Sequence, residues 1–182
     1  MEILRRYYNN GNIKEEHWIV NNKYNRKDGP ALIYYDINGN ITKQYWYLDD
    51  RLHNEKGPAS IWYHDNGSVD LEIYCVYGEI YRDGAPALIA YDNRGNIIKE
   101  EWYYYNLLSR KNEPAIINYY SNGNIKKQVW LKLNKQHRED GPAVILYDIN
   151  GNVIEEEYFL DGDKMDELTF LVKLENEKCF NK

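Results

Sequence analysis

Cysteine is nearly absent from this 182-residue chain. Cys75 and Cys179 stand far apart in different local contexts, which excludes a disulfide framework and a cysteine-built metal site. The four histidines (His17, His53, His64, His137) show neither HxxxH nor HExxH spacing, so no metal centre is expected from them. No apolar run approaches the roughly 18–20 residues that a membrane-crossing helix needs. The opening MEILRRYYNNGN lacks the apolar stretch of a signal peptide. G-x-S-x-G, a P-loop and a usefully spaced Cys–His pair are all missing, so neither a catalytic residue nor a cofactor is expected. A cytoplasmic protein without a transmembrane segment is the expectation these absences leave.

Positive charge is also in deficit. The formal charge is −6 and the pI about 5.3, which argues against a nucleic-acid partner read through a broad basic face. Mean hydropathy is −0.80, yet the chain holds 19 Tyr and 5 Trp. Disordered chains are depleted in such rings. Burial must therefore lean on amphipathic side chains, each hiding roughly 150–250 Å² while keeping a polar tip available.

Proline is scarce, and its placement is informative. The five prolines are Pro30, Pro58, Pro86, Pro114 and Pro142, each 28 residues from the last (58 − 30, and so on) and each followed by alanine. The same step carries Gly11, Gly39, Gly67, Gly95, Gly123 and Gly151, and likewise Tyr7, Tyr35, Tyr63, Tyr91, Tyr119 and Tyr147. Another column is always a large ring: Trp18, Trp46, Tyr74, Trp102, Trp130, Tyr158. A fixed period of this length marks a repeat architecture of about six units.

Within one unit, residues 31–35 read as a strand and residues 36–39 as a turn with glycine at a position of positive φ, as in a hairpin with a G1-type bulge. Residues 40–48 read as a second strand, and residues 49–57 as a polar return to the next proline. Proline has no N–H for a ladder, which suits it to a strand entrance. Alternate residues share a face. Ala31, Ile33 and Tyr35 therefore lie together, and every full copy keeps Ala-x-Ile-x-Tyr while the residues between them vary. Stacked units need the same packing partners on a buried face, so the varied face is the one left for solvent or a ligand. Two residues before the ring column stands an acceptor in every copy: Glu16, Gln44, Glu72, Glu100, Gln128, Glu156. A tyrosine hydroxyl or the backbone of the return loop would be its donor. The period dissolves after Leu160. Residues 1–162 are therefore the repeat domain and residues 163–182 a C-terminal cap. Residues 166–180 suit a short amphipathic helix, with Leu168, Leu171, Val172 and Leu174 available for burial.

The pattern DGPA-x-I-x-Y-x-x-NGN-I-x-x-E-x-W resembles the MORN-repeat variant family. It is carried by Asp28-Gly29-Pro30-Ala31, by Asp140-Gly141-Pro142-Ala143 and by the Asn-Gly-Asn turns at Asn38, Asn122 and Asn150. The resemblance covers residues 7–162. The unit is longer than a typical MORN repeat, and the Gly-Pro step becomes Ala85-Pro86 and Glu113-Pro114 in two copies. The resemblance implies an all-β, single-sheet array of antiparallel hairpins. It also implies a scaffold or protein-binding role, with lipid binding proposed for some such arrays. Members occur among bacterial proteins, some labelled antitoxin-like, and among giant-virus proteins.

Three surfaces are candidates for function. The ring column could stack bases or sugars, or be the core of a thin sheet. The return loops carry Arg26, Arg82, Arg110 and Arg138, with Asn54 breaking the row. These could contact an anionic lipid headgroup or nucleic acid, or pair with neighbouring acids. Tyr34 and Trp62 on the varied face could anchor a protein partner or a second copy of the chain. The acceptor column recurs in every copy at roughly 10 Å spacing, unlike a single acid–base pair. The leading expectation is a non-enzymatic scaffold for protein–protein contacts, possibly in a homodimer. An anion-binding surface and an antitoxin-like inhibitor are the alternatives.

Overall fold

A computed structural model describes residues 1–180, with side chains through Asn176. The last two residues of the expected cap and the side chain of Cys179 lie outside the described residues. The protein is all-β apart from one C-terminal helix, Glu167–Phe180. Its main sheet has 14 strands. They follow sequence order without a crossover, from Glu2–Tyr7 and Ile13–Val20 through to Val153–Leu160 and Asp163–Met165, with Lys23–Tyr24 pairing beside Ile13–Val20. Each repeat contributes one hairpin, as Leu32–Tyr35 with Ile41–Tyr45. The register slips at the last pair, Tyr35 facing Ile41, and Gly39 sits at φ 92°. This is the expected bulged hairpin.

The second half of the unit differs from the expectation. The strand from residue 41 stops at Tyr45 and Trp46 interrupts it. A two-residue ribbon, Tyr47–Leu48 against Arg51–Leu52, then forms where a polar return was expected. Trp46 is the pivot. Its N–H donates to Ala59 of the next copy at 2.8 Å, while its carbonyl accepts from His53 N–H at 3.0 Å. The ladder therefore changes partners at the ring. Between the ribbon's arms Asp49 and Asp50 both have positive φ, as a type I′ turn requires.

Met1–Ile97 and Ile98–Lys182 form two compact units of the same parts. In each, the alanine column is fully buried. In the first unit Ala31 lies with Trp18 and Ile33, and in the second Ala115 and Ala143 lie with Trp130 and Ile145. The alanine backbone is held on both sides, so the position cannot shift to make room: Ala59 N–H reaches Ile73 and its carbonyl receives Trp46, both at 2.8 Å. A longer side chain would displace the ring packed beside it.

Across the constant face, the tyrosine of each full copy donates to the acceptor of the copy before. Tyr35 reaches Glu16 at 2.7 Å, Tyr63 reaches Gln44 at 2.7 Å, Tyr91 reaches Glu72 at 3.1 Å, Tyr119 reaches Glu100 at 2.5 Å and Tyr147 reaches Gln128 at 2.7 Å. This is the hydroxyl partnership expected of that column. At the hairpin tips the period doubles. Asp36, Asp92 and Asp148 close their own turns, as Asp36 does with the N–H groups of Asn38 and Asn40 at 2.8 Å each. The alternate tips instead reach forward: Tyr8 donates to Tyr35 O, Tyr120 to Tyr147 O, and His64 Nε2 lies 3.1 Å from Tyr91 O.

The helix closes the second unit, though not by the expected residues. Asp166 caps it, accepting from Thr169 N–H at 2.9 Å. Phe170 is the buried residue, its ring centroid 5.0 Å from that of Tyr158. Leu168, Leu171 and Val172 are exposed and Leu174 is half-buried. Phe170 occupies the place in the period that proline holds elsewhere (142 + 28), so it meets the last ring column directly.

Candidate functional site

The loop arginines each lie flat over the ring of their own repeat. The guanidinium carbon is 4.2 Å from the Trp18 centroid for Arg26, 3.8 Å from Tyr74 for Arg82, and 4.0 Å from Trp102 and Trp130 for Arg110 and Arg138. Each also donates to the carbonyl of its proline four residues on, at 3.2 Å for Arg26 and Arg138, 3.3 Å for Arg82 and 3.5 Å for Arg110. Carboxylates take further donors: Asp28 for Arg26, Glu113 for Arg110 and Asp140 for Arg138. Asn54 keeps the carbonyl bond without a stack, at 2.9 Å to Pro58.

The loops differ to preserve this contact. A Cβ would come within 2.9 Å of the Arg26 guanidinium at Gly29 and 3.3 Å of the Arg138 guanidinium at Gly141, so a side chain at either place would push the arginine from its present position. In the loops with Ala85 and Glu113, the preceding residue takes the left-handed conformation instead, Gly84 at φ 65° and Asn112 at φ 60°. A groove of about 650 Å³ opens beside the Arg110 and Arg138 loops, with Lys111, Lys132 and His137 on its wall beside Glu139 and Asp140.

The varied face is divided by the ribbon. Of the row nearest it, Leu32, Ser60, Glu101, Val129 and Val144 are buried, and Tyr45, Ile73, Leu88 and Ile116 are half-buried. The row further out, which includes Tyr34 and Trp62, is half-buried. In Met1–Ile97 this face carries one connected aromatic cluster. Tyr34 meets Tyr45 edge-on at 6.1 Å, Tyr45 meets Tyr47 at 6.2 Å, Tyr47 meets Tyr24 at 5.3 Å and Tyr24 meets His17 at 5.7 Å. Trp62 extends it, facing Lys43 across the strands. The Lys43 Nζ lies 4.0 Å from its ring centroid, and its Nε1 donates to Ser60 at 3.1 Å. A cleft of about 300 Å³ runs between Tyr34, Tyr45, Lys43 and Lys14. Among the described residues the hydroxyls of Tyr34 and Tyr47 have no hydrogen-bond partner, in contrast to those of the constant column. Burial raises the pKa of both, with weaker contributions from neighbouring charges.

Tyr24, Tyr45 and Tyr47 were not among the sequence candidates. A signal existed: the column of Tyr45 reads His17, Tyr45, Ile73, Glu101, Val129, Glu157, so its rings fall only in the first two copies. The folded ribbon brings Tyr24 and Tyr47 into the group.

One trio, with Glu15 and His17 buried and Tyr24 half-buried, has the composition of a proton relay. His17 lies 2.9 Å from Glu15 through Nε2 and 2.9 Å from the Tyr24 hydroxyl through Nδ1. With Nε2 donating to the carboxylate and Nδ1 accepting from the phenol, both ring nitrogens are occupied and the ring is buried. Burial, the largest single effect, pushes the Glu15 carboxyl up, but the hydrogen bonds and charges of His17 and Arg6 together outweigh it and hold the group below its ordinary pKa. The trio reads as a satisfied polar core. Cys75 is buried, which pushes its thiol up to about 11, away from nucleophilic use. Among the described residues no cluster of three metal-ligating side chains forms, and no helix is long and apolar enough to cross a membrane.

No known protein-family model matches this chain, and neither does any curated protein sequence.

Proposed function

We propose that the protein is a non-enzymatic scaffold that binds a protein partner through the aromatic cluster of Met1–Ile97, centred on Tyr34, Tyr45 and Trp62. The observation that carries this reading is the contrast between the two faces. Every full copy's constant-face tyrosine has its hydroxyl bonded internally, whereas Tyr34 and Tyr47 on the varied face present unpartnered hydroxyls beside Trp62. Tyrosine and tryptophan combine large apolar area with a polar tip, the chemistry of interface anchors. The repeat beneath them is held strand to strand, so the anchors are presented with little ordering left to do. The resemblance to MORN-type arrays points the same way. Cytoplasmic placement and an origin among viral or bacterial repeat proteins belong to this proposal. The anion-binding reading has weaker support, because the arginines that would serve it already hold a ring, a carbonyl and in three cases a carboxylate.

The test compares wild type with Tyr34→Ala/Trp62→Ala as immobilised baits in the same source extract. Leu133→Ala, at an exposed ribbon tip of the other unit, is the control. A partner retained by wild type and the control but lost by the double variant supports the reading. Identical captures by all three would refute it.

A further inference from the structure

The sheet has an open edge toward each end of its strand order. At one end Glu2–Tyr7 pairs only with Ile13–Val20, and all six of its residues are exposed. At the other, residues 153–157 pair only with Val144–Tyr147, and Glu155 and Glu156 are exposed, whereas the equivalent Glu15 and Glu16 are buried. Among the described helix side chains the buried one, Phe170, packs on Tyr158, beyond residues 153–157.

The period fixes how these edges would meet. Between successive copies Glu15 faces Tyr34, Glu16 faces Ile33 and His17 faces Leu32, and the same offset recurs at Lys43 with Trp62 and at Lys127 with Leu146. Five repeats on from Glu15 is Glu155 (15 + 140), and one repeat back from Tyr34 is Arg6 (34 − 28). In this register Glu155 faces Arg6, Glu156 faces Arg5 and Glu157 faces Leu4 of a second copy. Both charged pairs are opposite in sign. The side-chain columns match as well. Glu156 is the one member of the acceptor column with no tyrosine donor among the described residues. Among the described residues Tyr7, 57% exposed, is the one member of the tyrosine column with no acceptor. Tyr35 donates to Glu16 in the chain, and the same step places Tyr7 of one copy on Glu156 of the next.

We propose that copies of this chain associate head to tail, the Val153–Glu157 edge of one adding to the Glu2–Tyr7 edge of another and continuing the hairpin array. The inference rests on the reading of the protein as an interaction module and names one of its partners, a second copy. Charged edges ordinarily block sheet extension. Here the block is selective: two acidic edges would set Glu against Glu, whereas the acidic and basic edges complement each other. Arg5 and Arg6 are already bonded to Glu16 and Glu15, but their side chains are 45% and 74% exposed, and a guanidinium has donors to spare. Such a contact joins different surfaces on the two copies, so it propagates or closes into a ring.

Light scattering on the full chain across a concentration series, with salt as a second variable, tests this. Wild type is expected to gain mass above the monomer with concentration. Glu155→Lys/Glu156→Lys should weaken association about tenfold or more, because two favourable cross-strand pairs become like-charged. Arg5→Glu/Arg6→Glu should do the same alone, and an equimolar mixture of the two variants should associate again. Should the second variant lose its circular dichroism, hydrogen exchange on wild type replaces it: both edge segments should become protected as concentration rises. A monomer at every concentration overturns the proposal, and so does association that leaves both edges unprotected or survives the glutamate swap. In those cases the aromatic-face reading still stands on its own capture test.

Discussion

Replacing Arg138 separates a packing role for the arginine row from a ligand role. In Arg138→Ala three interactions go. The stack on Trp130, at 4.0 Å with the side chain about four-fifths shielded, contributes about 1–2 kcal/mol. The charge-assisted bond to the Pro142 carbonyl, at 3.2 Å, contributes about 1.5 kcal/mol. The pair with Asp140 is discounted to well under about 1 kcal/mol, because that carboxylate is 79% exposed. The expected loss is about 2–4 kcal/mol. Arg138→Asn should cost only the stack, about 1–2 kcal/mol, because Asn54 already holds Pro58 in this way at 2.9 Å. Urea unfolding followed by tryptophan fluorescence reads both as midpoint shifts, with the slope checking that repeats still unfold together. If alanine left the midpoint in place, or if asparagine cost as much as alanine, the packing argument would fail and an external ligand would be the better explanation for the row.

Two further outcomes follow from the backbone and the buried phenols. Leu133 sits at φ 50° in a ribbon turn, half-exposed, where asparagine is at ease; Leu133→Asn should raise stability by about 1 kcal/mol in the same assay, and a lowered midpoint would count against a type I′ turn there. Tyr35 is pushed up to about 12 by burial, then by its bond to and the charge of Glu16, and Tyr91 to about 12 by burial and then Glu72. Because these folded values exceed the ordinary 10.0, the stability they contribute is intact below pH 10 and drains away as pH rises toward about 12. An alkaline titration should show tyrosinate absorbance and loss of circular dichroism rising together over that window. Tyr35→Phe/Tyr91→Phe should blunt the effect, and an unchanged profile would contradict it.

The first hairpin of each unit was legible in the sequence because one physical demand acts there in every copy. Ala-x-Ile-x-Tyr packs on identical neighbours, the bulged turn requires positive φ at glycine, and the tyrosine needs an acceptor. The second hairpin was not legible, for two reasons. Its arms are two residues long, too short for alternation to show. Its turn is satisfied by Asn21-Asn22, Asp49-Asp50, Tyr105-Asn106 and Leu133-Asn134 alike, so no letter marks the column. The stacking of arginine on ring was within reach, since the two columns stand eight residues apart in the same units, but columns taken singly do not show it. In the helix, periodicity offered Leu168, Leu171 and Val172, whereas the buried face turns on Phe170, whose position depends on where the last ring column ends.

What varies between copies is not all available for function, and the return loops show why. There the letters change, from Asp-Gly-Pro to Gly-Ala-Pro and Asn-Glu-Pro, yet each changed loop takes up a left-handed residue, Gly84 or Asn112, and the arginine keeps its ring and its carbonyl. That variation is compensated, so it carries no message about a partner. The aromatic cluster is different. Ala90 and Asn118 hold the strand positions of Tyr34 and Trp62, and Glu101 and Val129 hold that of Tyr45, all in an unchanged register. The fold therefore has no need of rings at those places. Rings that the fold does not require, with an idle hydroxyl on Tyr34, are a cost to a solvent-facing surface unless something covers them. This distinction, rather than exposure alone, singles out Tyr34, Tyr45 and Trp62.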